Sequence, residues 1–135
     1  MRAERAVKAL LDAAAGVTAI VGSGAAARIY GGAAPQETSA PLVIYSKQSG
    51  EREPVLDQVA ERRVDSLIDV LVVATTYAQL KTLGEAVRLA LNGKKGTFGG
   101  TAVLDIVIEN ESADQFEPQL DEFGQVWTFR VMHTE

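Results

Sequence analysis

The sequence predicts an α+β domain in which one mixed, mainly antiparallel sheet of about four to five strands packs against two main helices. Three observations carry this: an amphipathic helical period at the N-terminus, a second one over residues 77 to 91, and two C-terminal segments whose apolar residues alternate with period two.

Val7, Leu10, Leu11 and Ala14 recur at i, i+3, i+4 and i+7, so they stack on one side of a helix over residues 2 to 15. Gly16 is expected to end it. Val17 to Val21 form a short apolar turn or second helical piece closed by Gly22-Ser23-Gly24. Arg28-Ile29-Tyr30 reads as a brief strand before the Gly31 to Pro41 loop, whose glycines and prolines supply turn chemistry. Leu42-Val43-Ile44-Tyr45 is β-branched and aromatic and predicts a strand to about Gln48. Polar Ser49 to Glu61, with Gly50 and Pro54, reads as a long loop, and such loops in small domains are functional or mobile.

Ser66 to Ala74 is a nearly continuous apolar run broken only by Asp69, which predicts a central strand covered on both faces. Thr75-Thr76 offers an N-cap to a helix whose face is Tyr77, Leu80, Gly84, Val87 and Leu91 and whose polar side carries Gln79, Glu85 and Arg88. Asn92-Gly93 closes it, with Lys94 and Lys95 favourable at the negative end of the helix dipole. Over Thr101 to Glu111, Leu104, Ile106 and Ile108 face one way, and Asp105, Val107 and Glu109 the other. Over Val126 to His133, Trp127, Phe129 and Val131 face the core. The acidic connection between these two strands contains Pro118 and Gly124, so the pair reads as a hairpin with a wide loop.

At 135 residues and 14.4 kDa the chain, residues 1–135, reads as a single domain. It contains no cysteine, which removes disulfides, thiol nucleophiles and thiolate metal sites together. The formal charge of −5 disfavours nucleic-acid binding as the main task, because such binders carry a basic footprint. The acidity is uneven. Between Lys95 and Arg130 there are seven acidic residues, Asp105, Glu109, Glu111, Asp114, Glu117, Asp121 and Glu122, and no basic one. That run is a solvated face, a repulsive surface or a docking patch. Asp12 and Lys8 interrupt the N-terminal apolar stretch, so no signal-peptide core is expected, nor a membrane span, and the chain reads as retained in the cytoplasm.

Catalytic motifs fail on context. Gly22-Ser23-Gly24-Ala25-Ala26-Ala27 matches G-x-G-x-x-A, but Gly31 and Gly32 end any crossover helix within two turns. Gly93-Lys94-Lys95-Gly96-Thr97 lacks the order of a phosphate loop. His133 is the only histidine and cannot build an ordinary zinc site alone. Asp105 and Glu109 stand about 13 Å apart along a strand, beyond the ~5–10 Å of paired-carboxylate chemistry.

The order of elements is more informative. A helix followed by Val-Thr-Ala-Ile-Val-Gly (Val17 to Gly22) leads to Arg-Ile-Tyr (Arg28 to Tyr30) and Pro-Leu-Val-Ile-Tyr (Pro41 to Tyr45). The long segment Asp69 to Arg88 follows, then Gly-Thr-Phe-Gly-Gly (Gly96 to Gly100), an acidic linker and Trp-Thr-Phe-Arg-Val (Trp127 to Val131). This order resembles the tail-completion or tail-terminator family of long-tailed bacteriophages, prophages and gene transfer agents. The resemblance implies a structural virion protein without enzymatic activity, cofactor, metal or membrane partner. It implies a ring, usually sixfold, on the head-proximal end of the tail tube, ending tube polymerisation and joining the head. The implied partners are other copies of the chain, the tail tube protein and head–tail connector proteins, with DNA only as passing cargo. A ring needs surfaces that pair head to tail. Loops 31–41 and 49–61 and the linker 112–124 are the candidates, with Gln36, Glu51, Arg52, Glu53 and Asp57 as interface residues. Glu109, Glu111, Asp114 and Glu117 form a candidate acidic lumen or docking face, in a sixfold ring of about −30 formal charge. Two other readings stay open: a small ligand-binding domain or enzyme using Asp105 to Glu111, and a host adaptor module.

Overall fold

In chain order the elements are α1 (Arg2–Ala13), α2 (Ala15–Val21), a 3-10 turn (Gly24–Ala26), β1 (Ile29–Gly31), β2 (Leu42–Arg52), β3 (Arg63–Ala74), α3 (Tyr77–Leu91), β4 (Gly96–Phe98), β5 (Thr101–Glu111), β6 (Gln115–Glu117) and β7 (Glu122–Thr134). The structure, a computed structural model, describes residues 2–36, 38–52 and 63–134, apart from the side chains of Ala25, Glu51 and Arg52. One sheet of seven strands runs β1-β2-β3-β7-β5-β4, with β6 on the end of β7. Only β1 and β2 pair in parallel; every other pair is antiparallel. The fold class is therefore the predicted one, with more strands than the four to five expected and a third, short helix.

The centre is the pairing of β3 with β7, in register from Arg63↔Thr134 to Ala74↔Phe123. Along β3, Val64, Ser66, Ile68, Val70, Val72 and Ala74 are buried and the residues between them are only half-buried or exposed. The strand is thus central, as predicted, but packed by helices on one face. Its alternation was hidden because the second face also carries Leu67, Leu71 and Val73. Across the register Ile68 meets Phe129 and Val70 meets Trp127, and these join Leu11, Leu80, Leu83, Leu91 and Ile106 in one core. Apolar burial of this kind contributes roughly 25 cal/mol per Å², and aromatic side chains supply the largest shares.

The N-terminal helix is two helices. Ala14 is extended (φ −82°, ψ 112°), so the chain turns and α2 starts at Ala15. Gly16 lies inside α2 instead of ending α1. A Cβ on it would stand 3.4 Å from the Ala86 Cβ, so its small size lets α2 lie close to α3 while Val17 and Val21 reach the core. α3 is capped as expected: the Thr76 hydroxyl accepts from the Gln79 backbone N–H at 3.1 Å. Its buried face is Leu80, Leu83, Gly84, Val87, Ala90 and Leu91, whereas Tyr77 is half exposed.

The strands differ from expectation in several places: β3 begins at Arg63 and β7 at Glu122, each earlier than its apolar pattern. β2 continues through polar Ser49–Arg52, because β3 supplies a ladder partner as far as Arg52↔Val64, with a bulge between Lys47 and Ser49. Backbone pairing outweighs side-chain polarity at the end of a sheet. In β5 a bulge between Val103 and Asp105 shifts the phase. Ile106 is buried as expected, but Val103 is buried and Leu104 is 48% exposed, the reverse of the uninterrupted alternation, since the extra residue puts the two sides of the bulge out of phase. The Gly96 to Gly100 turn is a hairpin, β4 against β5, whose central Gly99 and Gly100 have φ of 56° and 79°. A tight two-residue loop needs these positive φ values. Gly99 also abuts the Arg5 carbonyl, at 2.7 Å from where a Cβ would be.

Gly84 lets α3 settle against the sheet. A Cβ there would come within 3.2 Å of the Trp127 Nε1 and 3.4 Å of its Cζ2. Gly84→Val is therefore expected to lower stability by about 1–3 kcal/mol through overpacking. Urea unfolding followed by Trp127 fluorescence measures this, and an unchanged midpoint would contradict the packing.

Candidate functional site

The base-free run of the sequence does not form one acidic face. Three of its seven carboxylates, Glu109, Glu111 and Asp114, are each held by groups from distant segments.

On the sheet face away from the helices, the Arg130 Nε donates to the Glu109 Oε1 at 2.6 Å and its Nη1 lies 3.6 Å from the Asp65 Oδ2. Arg63 donates to the other Asp65 oxygen at 3.1 Å. Glu109 is thus part of an alternating ion network across β3, β7 and β5. On the helix side, Glu111 accepts from the Gln125 amide at 3.2 Å. Asp105 accepts from the Ile106 N–H at 2.9 Å. Glu109 and Glu111 thus link neighbouring strands, whereas Asp105 bonds within its own, and among the described residues no group of three or more His, Cys, Asp or Glu could hold a metal ion.

Asp114 does a different task. It accepts from the Tyr77 hydroxyl at 2.7 Å and from the Lys81 ammonium at 2.7 Å, tying the chain after β5 to the first turn of α3. The hydrogen bond from Lys81, then that from Tyr77, holds its carboxyl below the usual carboxylate range, and the same bond raises Lys81. Farther along α3, Arg88 donates to Glu85, lowering Glu85 and raising itself.

Beyond this tether, most of the predicted acidic loop is a hairpin. β6 pairs the start of β7 through Gln115↔Gly124, Phe116↔Phe123 and Glu117↔Glu122, and Gly124 is a strand residue. The turn closes with Asp121 at φ 52°, and Glu117 accepts from the Gln119 N–H at 3.1 Å. Aspartate tolerates this left-handed conformation better than most residues. The hairpin is aromatic on one side: Phe116 and Phe123 rings lie 4.7 Å apart and Phe123 meets Tyr77 edge-on at 5.9 Å. Phe116 remains 48% exposed and Leu120, at the turn, 66%. The hairpin thus carries two exposed apolar side chains, Phe116 and Leu120, in a segment that also holds Glu117, Asp121 and Glu122. Sequence patterning did not single it out. The signal was there in Phe116 and Phe123, placed either side of Pro118 to Asp121.

Beside the tether lies a groove of about 670 Å³ between α2 and α3, with Ala14, Gly16, Ala86 and Ala90 as small apolar lining and Lys81, Glu85 and Lys94 as polar lining. Leu89 on its wall is 60% exposed. A smaller cleft of about 330 Å³ between α1 and β1–β2 gathers Arg5, Lys8 and Lys47 with Glu4 and Tyr45.

Of the remaining predicted positions, Gln36 is exposed in the loop between β1 and β2. Glu51 and Arg52 lie in β2 opposite Asp65 and Val64, not in a loop. Glu53 and Asp57, with most of the 49–61 segment, lie outside the described residues. His133 is a core residue: its Nε2 is 2.9 Å from the Ser66 Oγ and both are buried. This serine–histidine contact is closed to substrate. No helix among the described residues is long and apolar enough to cross a membrane.

The Asp114 tether sets a pH dependence for the hairpin. Because the fold favours the carboxylate, the tether is complete above the ordinary carboxylate value of 3.8 and is lost as pH falls through the lower value it has here. The aromatic NMR signals of Phe116 and Phe123 should therefore hold their positions at about pH 5 and shift only in stronger acid. In Asp114→Asn they should be shifted at either pH. Signals in that variant identical to the unsubstituted protein would show that Asp114 does not hold the hairpin.

Comparison with known proteins bears on what such a surface serves. Among curated proteins no sequence matches significantly. Among solved structures, a chain described as "Virion of native gene transfer agent (GTA) particle" is similar in fold: the TM-score is 0.64 at 22% identity, over 96% of this chain and 92% of that one. The family model described as "Tail completion protein gp17" matches residues 5–134, from the first turn of α1 to the end of β7. The chain therefore belongs to the tail completion protein gp17 family and is a structural protein of a bacteriophage-type tail.

Proposed function

We propose that the protein caps the head-proximal end of the tail tube, ends tube polymerisation and forms part of the head–tail joint as a closed sixfold ring. The observation that carries this reading is the family match over residues 5–134. Its partners are then further copies of the chain, the tail tube protein on one side and connector proteins of the head on the other, with DNA passing through. The surface suits such a role chemically. Among the described residues the carboxylates brace strands and a hairpin, and the exposed groups available to partners are apolar side chains and scattered charges. Glu111, which remains toward solvent, would repel phosphates if it lines the bore.

Loss of the gene should yield tubes of unregulated length that fail to join filled heads, seen by negative-stain microscopy. Tails of normal length joined to heads would sink the reading. For the lining, Glu111→Gln, which keeps an acceptor for the Gln125 amide and lies outside the hairpin, should leave joined particles intact and slow DNA ejection. Glu109 and Asp114 are poor probes of this, because their removal unpairs Arg130 and frees the hairpin. Unaltered ejection would contradict the lining, and assembly lost instead would assign Glu111 to docking.

A further inference from the structure

A head-to-tail assembly needs two different surfaces on one chain that fit each other. Sheet edges are one route, yet both long strands near the edges are interrupted, β2 by its bulge at Lys47–Ser49 and β5 by bulges at Val103–Asp105 and Ile108–Asn110. Gly93 also occupies the Ile106 carbonyl at 2.7 Å. Bulges and charges are the devices that keep edges from pairing with another chain.

The hairpin and the α2–α3 groove are complementary instead. The hairpin tip offers Phe116 and Leu120 within an acidic rim of Glu117, Asp121 and Glu122. The groove offers an apolar wall, Ala14, Ala86 and Leu89; in its lining Lys81 is paired with Asp114 and Glu85 with Arg88, so its remaining positive charge is Lys94, with exposed Lys95 next in sequence. Phe116, Leu120 and Leu89 are all largely exposed within one chain, so the tip does not occupy its own groove. The hairpin base is fixed by Asp114 to Tyr77 and Lys81, which presents the tip without a further ordering cost at association.

We infer that the β6–β7 hairpin tip of one copy docks into the α2–α3 groove of a second copy, apolar side chains inward and acidic rim against Lys94 and Lys95. Hairpin against hairpin would juxtapose two acidic rims, and groove against groove two basic ones, so charge selects the unlike pairing. This rests on the proposed ring, to which it supplies the subunit contact.

The chain has no cysteine, so introduced thiols report a single contact. The full-length chain carrying Leu89→Cys and Leu120→Cys is mixed with tail tubes and oxidised, and a disulfide forms only where Cα atoms come within about 7 Å. The expected result is a covalent ladder extending to ring size, absent from either single variant. A ladder ending at dimers supports the docking and overturns the ring. Ring-sized particles without crosslinks overturn the docking and leave the ring. So does protection of the Leu120→Cys thiol by tube protein alone, which makes the tube the occupant of the tip. A crosslink within one chain, or in Leu120→Cys alone, also overturns the docking. Because Leu120 is exposed, Leu120→Asp should fold normally and weaken self-association more than about tenfold; unchanged association would contradict the contact.

Discussion

The antiparallel pairing of β3 with β7 is the constraint on which the rest of the structure depends. Twelve consecutive register pairs fix which side of the sheet every residue of both strands occupies. One face then presents Ile68, Val70, Phe129 and Trp127 to the helices, and the other presents Asp65, Asp69, Thr128 and Arg130. A slip of one residue would exchange these faces, burying ions and exposing the core, so register is specified by a large energetic penalty. β2 and β5 add to the flanks of this pair, and α1 and α3 cover only its apolar side. β7 also reaches beyond its pairing with β5, and that overhang, from Glu122 to Gly124, is what β6 folds back upon. The hairpin is thus an extension of the central ladder and inherits its direction.

Much of this order is legible in residue patterns. The helical period of Leu80, Gly84, Val87 and Leu91, with Thr76 as its cap, locates α3 within a residue, because amphipathic spacing and capping are local signals. The alternation of Trp127, Phe129 and Val131 locates the core face of β7 for the same reason. What escapes is decided by partners distant in sequence. Polar Ser49–Arg52 becomes a strand because β3 lies alongside; Leu104 turns outward because of a bulge; Gly16, a helix breaker by propensity, stays helical to let α2 approach Ala86. Local composition contains none of these contacts.

The acidic run illustrates the same limit for function. Counted along the chain it is free of bases, yet in space Arg130 reaches Glu109 and Lys81 reaches Asp114 from other elements. The predicted single acidic face divides into a strand brace, a hairpin tether and a small rim around apolar residues. The candidate site moves accordingly, from carboxylates to Phe116 and Leu120, which composition alone gave no reason to single out. The folding elements that carry family resemblance are those of local pattern, whereas the exposed hairpin is assembled by the ladder and by cross-element ion pairs.

The central claim is that this member of the tail completion family acts at one end of the tail tube. Its most direct test is to image assembled particles in which the chain carries a compact mass tag at its N-terminus, using single-particle cryo-electron microscopy. The account predicts tag density confined to one ring with sixfold symmetry between tube and head. Density distributed along the tube, at its distal tip, or absent from the finished particle would contradict it.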